Sequence, residues 1–159
     1  MADDVDAAPD GLGPLRAMMS GALKAPMGET LGFRLVEAEA GQVVFEGRPD
    51  RSAYNPFGSV HGGYAATLLD SACGVAVQSQ LGPGRGHTTL ELKVSYLRGL
   101  SERSGTVRAT GRVVTAGRRV AFAEATLHDG EGRLCATATS TLLVFDLEPG
   151  SGPRPATGS

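Results

Sequence analysis

The segment from His61 to Gln80 constrains the fold of this chain more than any other. Its sequence, HGGYAATLLDSACGVAVQSQ, contains no proline and is apolar on nearly every face of a helix. A helix that is apolar all round has to be buried. The sequence that follows, LGPGRG, cannot continue a helix and predicts a flexible loop. We therefore expect a protein built around one buried central helix.

The segments on both sides of this helix have the pattern of β-strands. FRLVEAE and QVVFEGR are predicted to form a hairpin that turns at Ala40-Gly41. After the helix, TTLELKVSYLR alternates apolar and polar residues with a period of two. Three more strands are predicted in SGTVRATGRVV, RVAFAEATLHD and RLCATATSTLLVF, with turn signals between them. A short amphipathic helix is predicted before all of these, over Leu12–Leu23.

These elements predict an α+β fold in the order β-β-α-β-β-β-β. The four strands after the helix are expected to follow one another as hairpins, which gives an antiparallel sheet. Only the central helix can cover the apolar face of that sheet, so the sheet should curve around it. One helix is too small to cover a long sheet, and its small residues invite close approach by another element. A homodimer is therefore predicted.

Length, charge and composition limit the number of domains and the classes of partner that the chain can have. A chain of 159 residues is the size of one domain, predicted over residues 11–147, with residues 1–10 and 148–159 disordered. The net charge is -2 and the 15 Lys and Arg residues are scattered, so neither nucleic acid nor a membrane is an expected partner. The N-terminus has no leader pattern and no apolar run is long enough to span a bilayer, which favours a cytoplasmic protein.

The cysteines and histidines do not predict a metal site. Cys73 and Cys135 have no CxxC spacing and lie in apolar sequence, as reduced core thiols do. No metal-ligand spacing joins the other candidates, which are His61, His87, His128 and Asp70.

Asp70 is the most unusual residue of the predicted helix, because its neighbours are leucine, alanine, cysteine and valine. Burying an unpaired carboxylate is costly. A partly dry carboxylate is stripped of stabilising water, as a nucleophile or general base has to be. A purely structural role also fits, in which Asp70 binds Ser71, Thr67 or a neighbouring chain.

The turn His61-Gly62-Gly63 opens the helix, where the first backbone N–H groups have no intrahelical acceptors. Such a terminus can bind the oxyanion that forms when a thioester carbonyl is attacked. A glycine-rich packing turn is the alternative. Asn55 and His61 flank the turn NPFGSVH, where each could equally be a cap or turn residue.

Helix geometry limits how the HGG turn and Asp70 can act on the same substrate. Eight residues separate Gly62 from Asp70, which is about 12 Å along a helix. A nucleophile and an oxyanion donor must both lie about 3 Å from one carbonyl group. Two antiparallel helices related by a twofold axis could bring Gly62 of one subunit near Asp70 of the other. Active sites shared at a dimer interface are therefore predicted.

The string NPFGSVHGGYAATLLDSACG resembles the hotdog-fold thioesterases of the phenylacetate-degradation type and the related 4-hydroxybenzoyl-CoA thioesterase group. The shared pattern is Asn, five residues, HGG, six residues, then Asp or Glu. The resemblance covers residues 30–145, including the strand order. It implies a hotdog fold, a homodimer and commonly a dimer of dimers, with acyl-CoA as substrate. It implies no metal, and no cofactor other than the coenzyme A of the substrate.

The resemblance also implies roles for particular residues. Asp70 would be the nucleophile or the base that activates water, Gly62 would donate the oxyanion hydrogen bond, and His61 would orient the turn. Asn55 would polarise the carbonyl or position water, and Thr89 would help to hold the hydrolytic water, unless Thr89 is an ordinary strand residue.

Further residues are predicted to contact the coenzyme A and acyl parts of the substrate. Arg118 and Arg119 could bind the phosphates of coenzyme A, or they could be a solvated hairpin corner. An aromatic or medium-chain acyl group is expected, and the residues predicted to line its pocket are Gly63, Tyr54, Phe57, Tyr64 and Leu81.

The sequence is also compatible with two other functions. A hotdog-fold hydratase or dehydratase would pair a histidine with a carboxylate, and His61 with Asp70 could imitate such a pair. A non-catalytic acyl-CoA-binding protein would hold the thioester without cleaving it. Release of free thiol would separate a thioesterase from both.

Overall fold

The computed structural model describes residues 11–151, and the predicted disorder of residues 1–10 and 152–159 lies outside that range. Residues 148–151 form a turn after the last strand. The elements are α1 (Gly13–Ser20), α2 (Pro26–Leu31), β1 (Phe33–Glu39), β2 (Gln42–Gly47), α3 (Gly62–Gln78), β3 (Arg85–Tyr96), β4 (Val107–Ala116), β5 (Val120–His128) and β6 (Leu134–Asp146).

All six strands form one antiparallel sheet in the order β1-β2-β4-β5-β6-β3. The predicted α+β hotdog fold, a curved antiparallel sheet around one central helix, is confirmed. The expectation of a hairpin between β3 and β4 was wrong. Residues 97–106 join these strands, too many for a tight turn, and β3 pairs with β6 at the far edge. β4 pairs instead with β2.

The N-terminus of the central helix α3 is capped by His61, whose side chain accepts a hydrogen bond from the Gly63 N–H. Its largest buried side chains include Leu68, Leu69 and Val77. The helix lies close against β4 because Gly111 has no side chain. A Cβ at Gly111 would come within 2.1 Å of the Ala72 carbonyl oxygen. The buried helix predicted from the apolar segment is thus in contact with the sheet backbone itself.

A β-bulge at Leu90 interrupts the alternation of β3. Before the bulge, His87 and Thr89 face α3, and after it Leu92 and Val94 pack on the core. Leu90 itself is 58% exposed. An extra residue in a strand switches the inward-facing positions from odd-numbered to even-numbered residues. For this reason the uniform alternation expected from the sequence does not hold along the whole strand.

The N-terminal region forms two short helices instead of the single predicted one. Helix α1 ends where Gly21 adopts a left-handed conformation, and α2 follows with proline at its start. Proline suits the first turn of a helix, so the Ala25-Pro26 step begins a new element. Both helices contact β1 at one end of the sheet.

The cysteines behave as the sequence predicted. Cys73 and Cys135 are both free and buried. Burial raises the pKa of the Cys73 thiol to about 12, with the nearby Asp70 charge adding to the shift. Within residues 11–151 no helix is both long and apolar enough to cross a membrane.

Candidate active site

A cleft of about 310 Å³ opens beside the middle of α3, between that helix, the start of β3 and the two N-terminal helices. Its apolar walls come mainly from α1, α2, β1 and β2. Its polar groups come from α3 and β3. The residues that line the cleft include Met18, Met27, Phe33, Phe45, Asp70, Ser71, Gly74, Val75, His87 and Thr89.

Asp70 projects into this cleft from the central helix and is only half-buried. The Thr89 hydroxyl donates a hydrogen bond of 2.9 Å to Asp70 Oδ1. Among the described residues this is the only hydrogen bond to the carboxylate, and neither Ser71 nor Thr67 binds it. Asp70 therefore keeps unused acceptor capacity on the side that a ligand would approach.

His87 stands in the same cleft and was not among the predicted site residues. Burial lowers its pKa, although the negative charge of Asp70 acts in the opposite direction. Its Nδ1 atom is enclosed and has no hydrogen-bond partner. The sequence could have indicated this position, because His87 and Thr89 are two residues apart on one strand and therefore share a face.

The HGG turn presents one free backbone donor. The Gly63 N–H is bound at 2.8 Å by His61 Nδ1, whereas no residue within 11–151 accepts from the Gly62 N–H. The Tyr96 hydroxyl donates a 2.7 Å hydrogen bond to the Gly62 carbonyl. This geometry distinguishes the two glycines: Gly63 stabilises the turn and Gly62 can bind an oxyanion.

Within residues 11–151 of one chain, the Asp70 carboxylate and the Gly62 N–H lie at two different cavities. His61, Gly62 and Tyr96 line a second cavity of about 60 Å³ at the start of α3, and Asp70 is not among its lining residues. This separation agrees with the spacing of about 12 Å expected along the helix.

Asn55 is engaged within its own loop. Its Oδ1 accepts from the Phe57 N–H at 2.9 Å and from the Ser59 N–H at 3.3 Å, and its Nδ2 donates to Ser59 Oγ. These are the hydrogen bonds of an Asx turn. The structure therefore favours the turn-forming alternative for Asn55 over the catalytic one.

The predicted aromatic pocket is not assembled around Asp70. Tyr64 is a core residue, 4% exposed, and burial raises its pKa to about 12. The Tyr54 hydroxyl accepts from the Glu102 N–H, and Leu81 is buried. Phe57 lies at a loop tip, 92% exposed. The apolar walls of the cleft come instead from the methionines of α1 and α2 and from Phe33 and Phe45.

Arg118 and Arg119 lie in the β4–β5 turn with exposed side chains. Neither lines the cleft around Asp70. The Arg118 carbonyl accepts a hydrogen bond from the guanidinium of Arg85, which also forms a 2.6 Å ion pair with Asp146. A phosphate-binding role for the two arginines stays a prediction.

The chain is similar to known thioesterases in sequence. The model of the thioesterase superfamily matches residues 57–136. The medium/long-chain acyl-CoA thioesterase YigI of Escherichia coli is 34% identical over 137 residues, covering 75% of this chain and 85% of the relative. This chain therefore belongs to the thioesterase superfamily, and it is a thioesterase.

Solved structures agree with this assignment. A thioesterase family protein from Silicibacter pomeroyi matches with a TM-score of 0.75 at 29% identity, over 86% of this chain and 98% of that one. A thioesterase protein from Streptococcus pneumoniae, solved with coenzyme A, matches with a TM-score of 0.66 at 27% identity, over 74% and 91% of the two chains.

Proposed function

We propose that the protein hydrolyses acyl-CoA thioesters to the free acid and coenzyme A, with Asp70 attacking the carbonyl carbon or deprotonating the attacking water. The observation that carries this proposal is a half-buried carboxylate with one hydrogen bond, from Thr89, at the edge of a largely apolar cleft. The similarity to an acyl-CoA thioesterase and to a protein solved with coenzyme A supports acyl-CoA as the substrate class.

Both routes leave the same products. If Asp70 attacks directly, its oxygen forms a mixed anhydride as the C–S bond breaks, and water then hydrolyses that anhydride. If Asp70 acts as a base, it removes a proton from water and the resulting hydroxide attacks the carbonyl carbon. In each case the sulfur leaves as the coenzyme A thiolate, which takes up a proton.

The negative charge that develops on the carbonyl oxygen requires a donor, and the unpaired Gly62 N–H at the start of α3 can provide it. One donor of this kind typically contributes about 3 kcal/mol to transition-state stabilisation. Because Asp70 and Gly62 of one chain line different cavities, the donor is proposed to come from the partner subunit. His61 holds the turn through its bond to Gly63.

A homodimer is supported by one of the two edges of the sheet. Strand β3 lies at this edge, and its Leu90 and Tyr96 are more than half exposed, as is the following Leu97. An exposed edge with apolar side chains is a surface that a second strand can cover. A dimer of dimers, a role in phenylacetate degradation and a cytoplasmic location stay predictions.

The test is release of coenzyme A from phenylacetyl-, benzoyl-, hexanoyl- and octanoyl-CoA, followed with a thiol reagent. Asp70→Asn keeps the side-chain shape but removes the basic oxygen, so turnover should fall by at least about a thousandfold while binding persists. Asp146→Asn, at an exposed ion pair, is the matched control. An active Asp70→Asn variant would contradict the proposal, and so would loss of the enoyl absorbance of crotonyl-CoA, added as a fifth substrate, without thiol release.

A further inference from the structure

The segment 22–31, which joins α1 to β1 and contains α2, forms one wall of the cleft that holds Asp70. Residues 25–28 line this cleft. Gly28 is the only buried residue of the segment, and Met27 is 58% exposed although it lines the cleft. The segment is therefore a thin cover, with the cleft on one side and solvent on the other.

The hydrogen bonds of this segment are local. Within residues 11–151, the bonds that leave the segment reach only the second half of α1 and the adjoining Gly32. Lys24 and Glu29 form an exposed ion pair of 3.4 Å inside the segment. The segment is therefore not tied by hydrogen bonds to α3 or β3, which carry the polar groups of the cleft.

Side-chain packing holds the segment only at its end. Among residues 22–31, Leu31 is the only apolar side chain packed on the hydrophobic core. The chain is firmly anchored on both sides, since Leu15 in α1 is buried and the Phe33 ring packs edge-on against Phe45. A segment with few buried contacts and few long-range hydrogen bonds opens more easily than the core around it.

Glycines stand at both ends of the segment and provide hinges. Gly21 has φ 84° and Gly32 has φ 71°, and a Cβ at either position would meet nothing within 4 Å. Backbone conformation, and not packing, therefore requires glycine at these positions. Glycine changes between left-handed and right-handed conformations at little cost, so the chain can pivot at both points while α1 and β1 stay in place.

We propose that residues 22–31 form a lid, hinged at Gly21 and Gly32, that opens to admit the acyl chain of the substrate and closes over it. The acyl chain supplies the apolar contact surface that the lid lacks within the protein, so its binding favours the closed lid. Met27 contacts the acyl chain in the closed state and is a specificity-determining residue. The inference rests on the proposed function, which makes an acyl-CoA the ligand of the cleft.

The experiment is amide hydrogen exchange of the full-length protein, followed by mass spectrometry. It compares the protein alone, with coenzyme A, and with S-octyl-CoA, a thioether that cannot be hydrolysed. Without ligand, the amides of residues 22–31 should exchange at least about a hundredfold faster than those of α3. Saturating S-octyl-CoA should slow them by about tenfold or more, whereas coenzyme A, which has no acyl chain, should change them by less than about twofold.

Three outcomes would overturn the lid. They are exchange in residues 22–31 as slow as in α3, S-octyl-CoA that leaves the segment unprotected, and coenzyme A that protects it as well as S-octyl-CoA does. Because the thioether is not cleaved, each outcome is independent of turnover. An active Asp70→Asn variant would instead remove the proposed mechanism and leave the lid in place.

A kinetic comparison tests the role of Met27. Met27→Ser should lower kcat/KM for octanoyl-CoA by about three- to tenfold and for butanoyl-CoA by less than about twofold, because only the longer chain reaches the lid. Met19→Ser is the matched control, since Met19 is an exposed methionine of α1 that does not line the cleft. It should leave both values unchanged. An equal loss on both substrates would overturn the assignment of Met27.

Discussion

The start of α3, at Gly62, and the middle of α3, at Asp70, present different kinds of chemistry. Around Asp70, reactive side chains line an open cleft of about 310 Å³ and retain unused hydrogen-bonding capacity. Around Gly62, the side chains of His61 and Tyr96 are used to hold the backbone, and the free group is a peptide N–H. One region supplies a charge and the other supplies a fixed dipole.

Under the proposed mechanism, this difference means that neither region is sufficient by itself for thioester hydrolysis. A thioester carbonyl needs both a nucleophile and a donor for its oxygen, within about 3 Å of the same group. A straight helix holds its first turn and its Asp70 about 12 Å apart. Pairing two copies of the chain is the simplest way to bring the two regions together, and variants in each region can test that pairing.

The largest expected effect comes from separating the two regions on different subunits. Asp70→Ala removes the carboxylate, and Gly62→Val blocks access to the free N–H, so each homodimer should lose at least about a hundredfold in kcat. A random mixture of the two should recover about a quarter of wild-type activity, because half of the dimers contain one intact site of two. Heterodimers purified through two tags should have about half of wild-type activity, because each contains one intact site of two. Inactive heterodimers would contradict a shared site.

A threonine in each region provides the next comparison. Thr89→Val removes the hydrogen bond to the Asp70 carboxylate and should lower kcat by about ten- to a hundredfold. Thr67→Val removes a bond to the Gly63 carbonyl, and it should change kcat by less than about threefold. Steady-state kinetics of both variants measure these changes in kcat. Equal changes would mean that the hydrogen bond from Thr89 to Asp70 makes no particular contribution to catalysis.

Tyr96 tests how firmly the oxyanion region must be held. Tyr96→Phe deletes the hydroxyl that binds the Gly62 carbonyl, and we expect kcat to fall about three- to tenfold with little change in KM. The effect is on kcat because the N–H acts mainly in the transition state. A change confined to KM would instead indicate that the tyrosine contacts the substrate.

The smallest effect concerns stability and pH in the carboxylate region. Burial holds the pKa of folded His87 below its ordinary value of 6.5, so the unfolded chain binds a proton first as the pH falls. Stability should decrease from about pH 6.5 downwards, by at most about 1.4 kcal/mol per pH unit, until the folded pKa is passed. Urea unfolding of the wild type and His87→Phe between pH 5 and 7.5 checks this. A slope that is identical in both proteins would mean that His87 is not the group that titrates.

Much of the fold follows from local sequence. The apolar run 61–80 predicted α3, which spans Gly62–Gln78, and FRLVEAE matches β1 exactly as residues Phe33–Glu39. Asp70 and the HGG turn stood out because a charge in an apolar helix and a glycine pair at its start are visible without any tertiary information. These signals are local because helix and strand periods repeat within a few residues.

The rest of the site depended on tertiary structure. No local pattern states that β3 pairs with β6, that a bulge at Leu90 turns His87 and Thr89 towards the helix, or that α1 and α2 close the cleft. The sequence by itself determined the central helix, the strands and the position of the Asp70 carboxylate in that helix. The tertiary structure decided which distant residues meet that carboxylate, because such contacts depend on sheet order and packing between segments far apart in the chain.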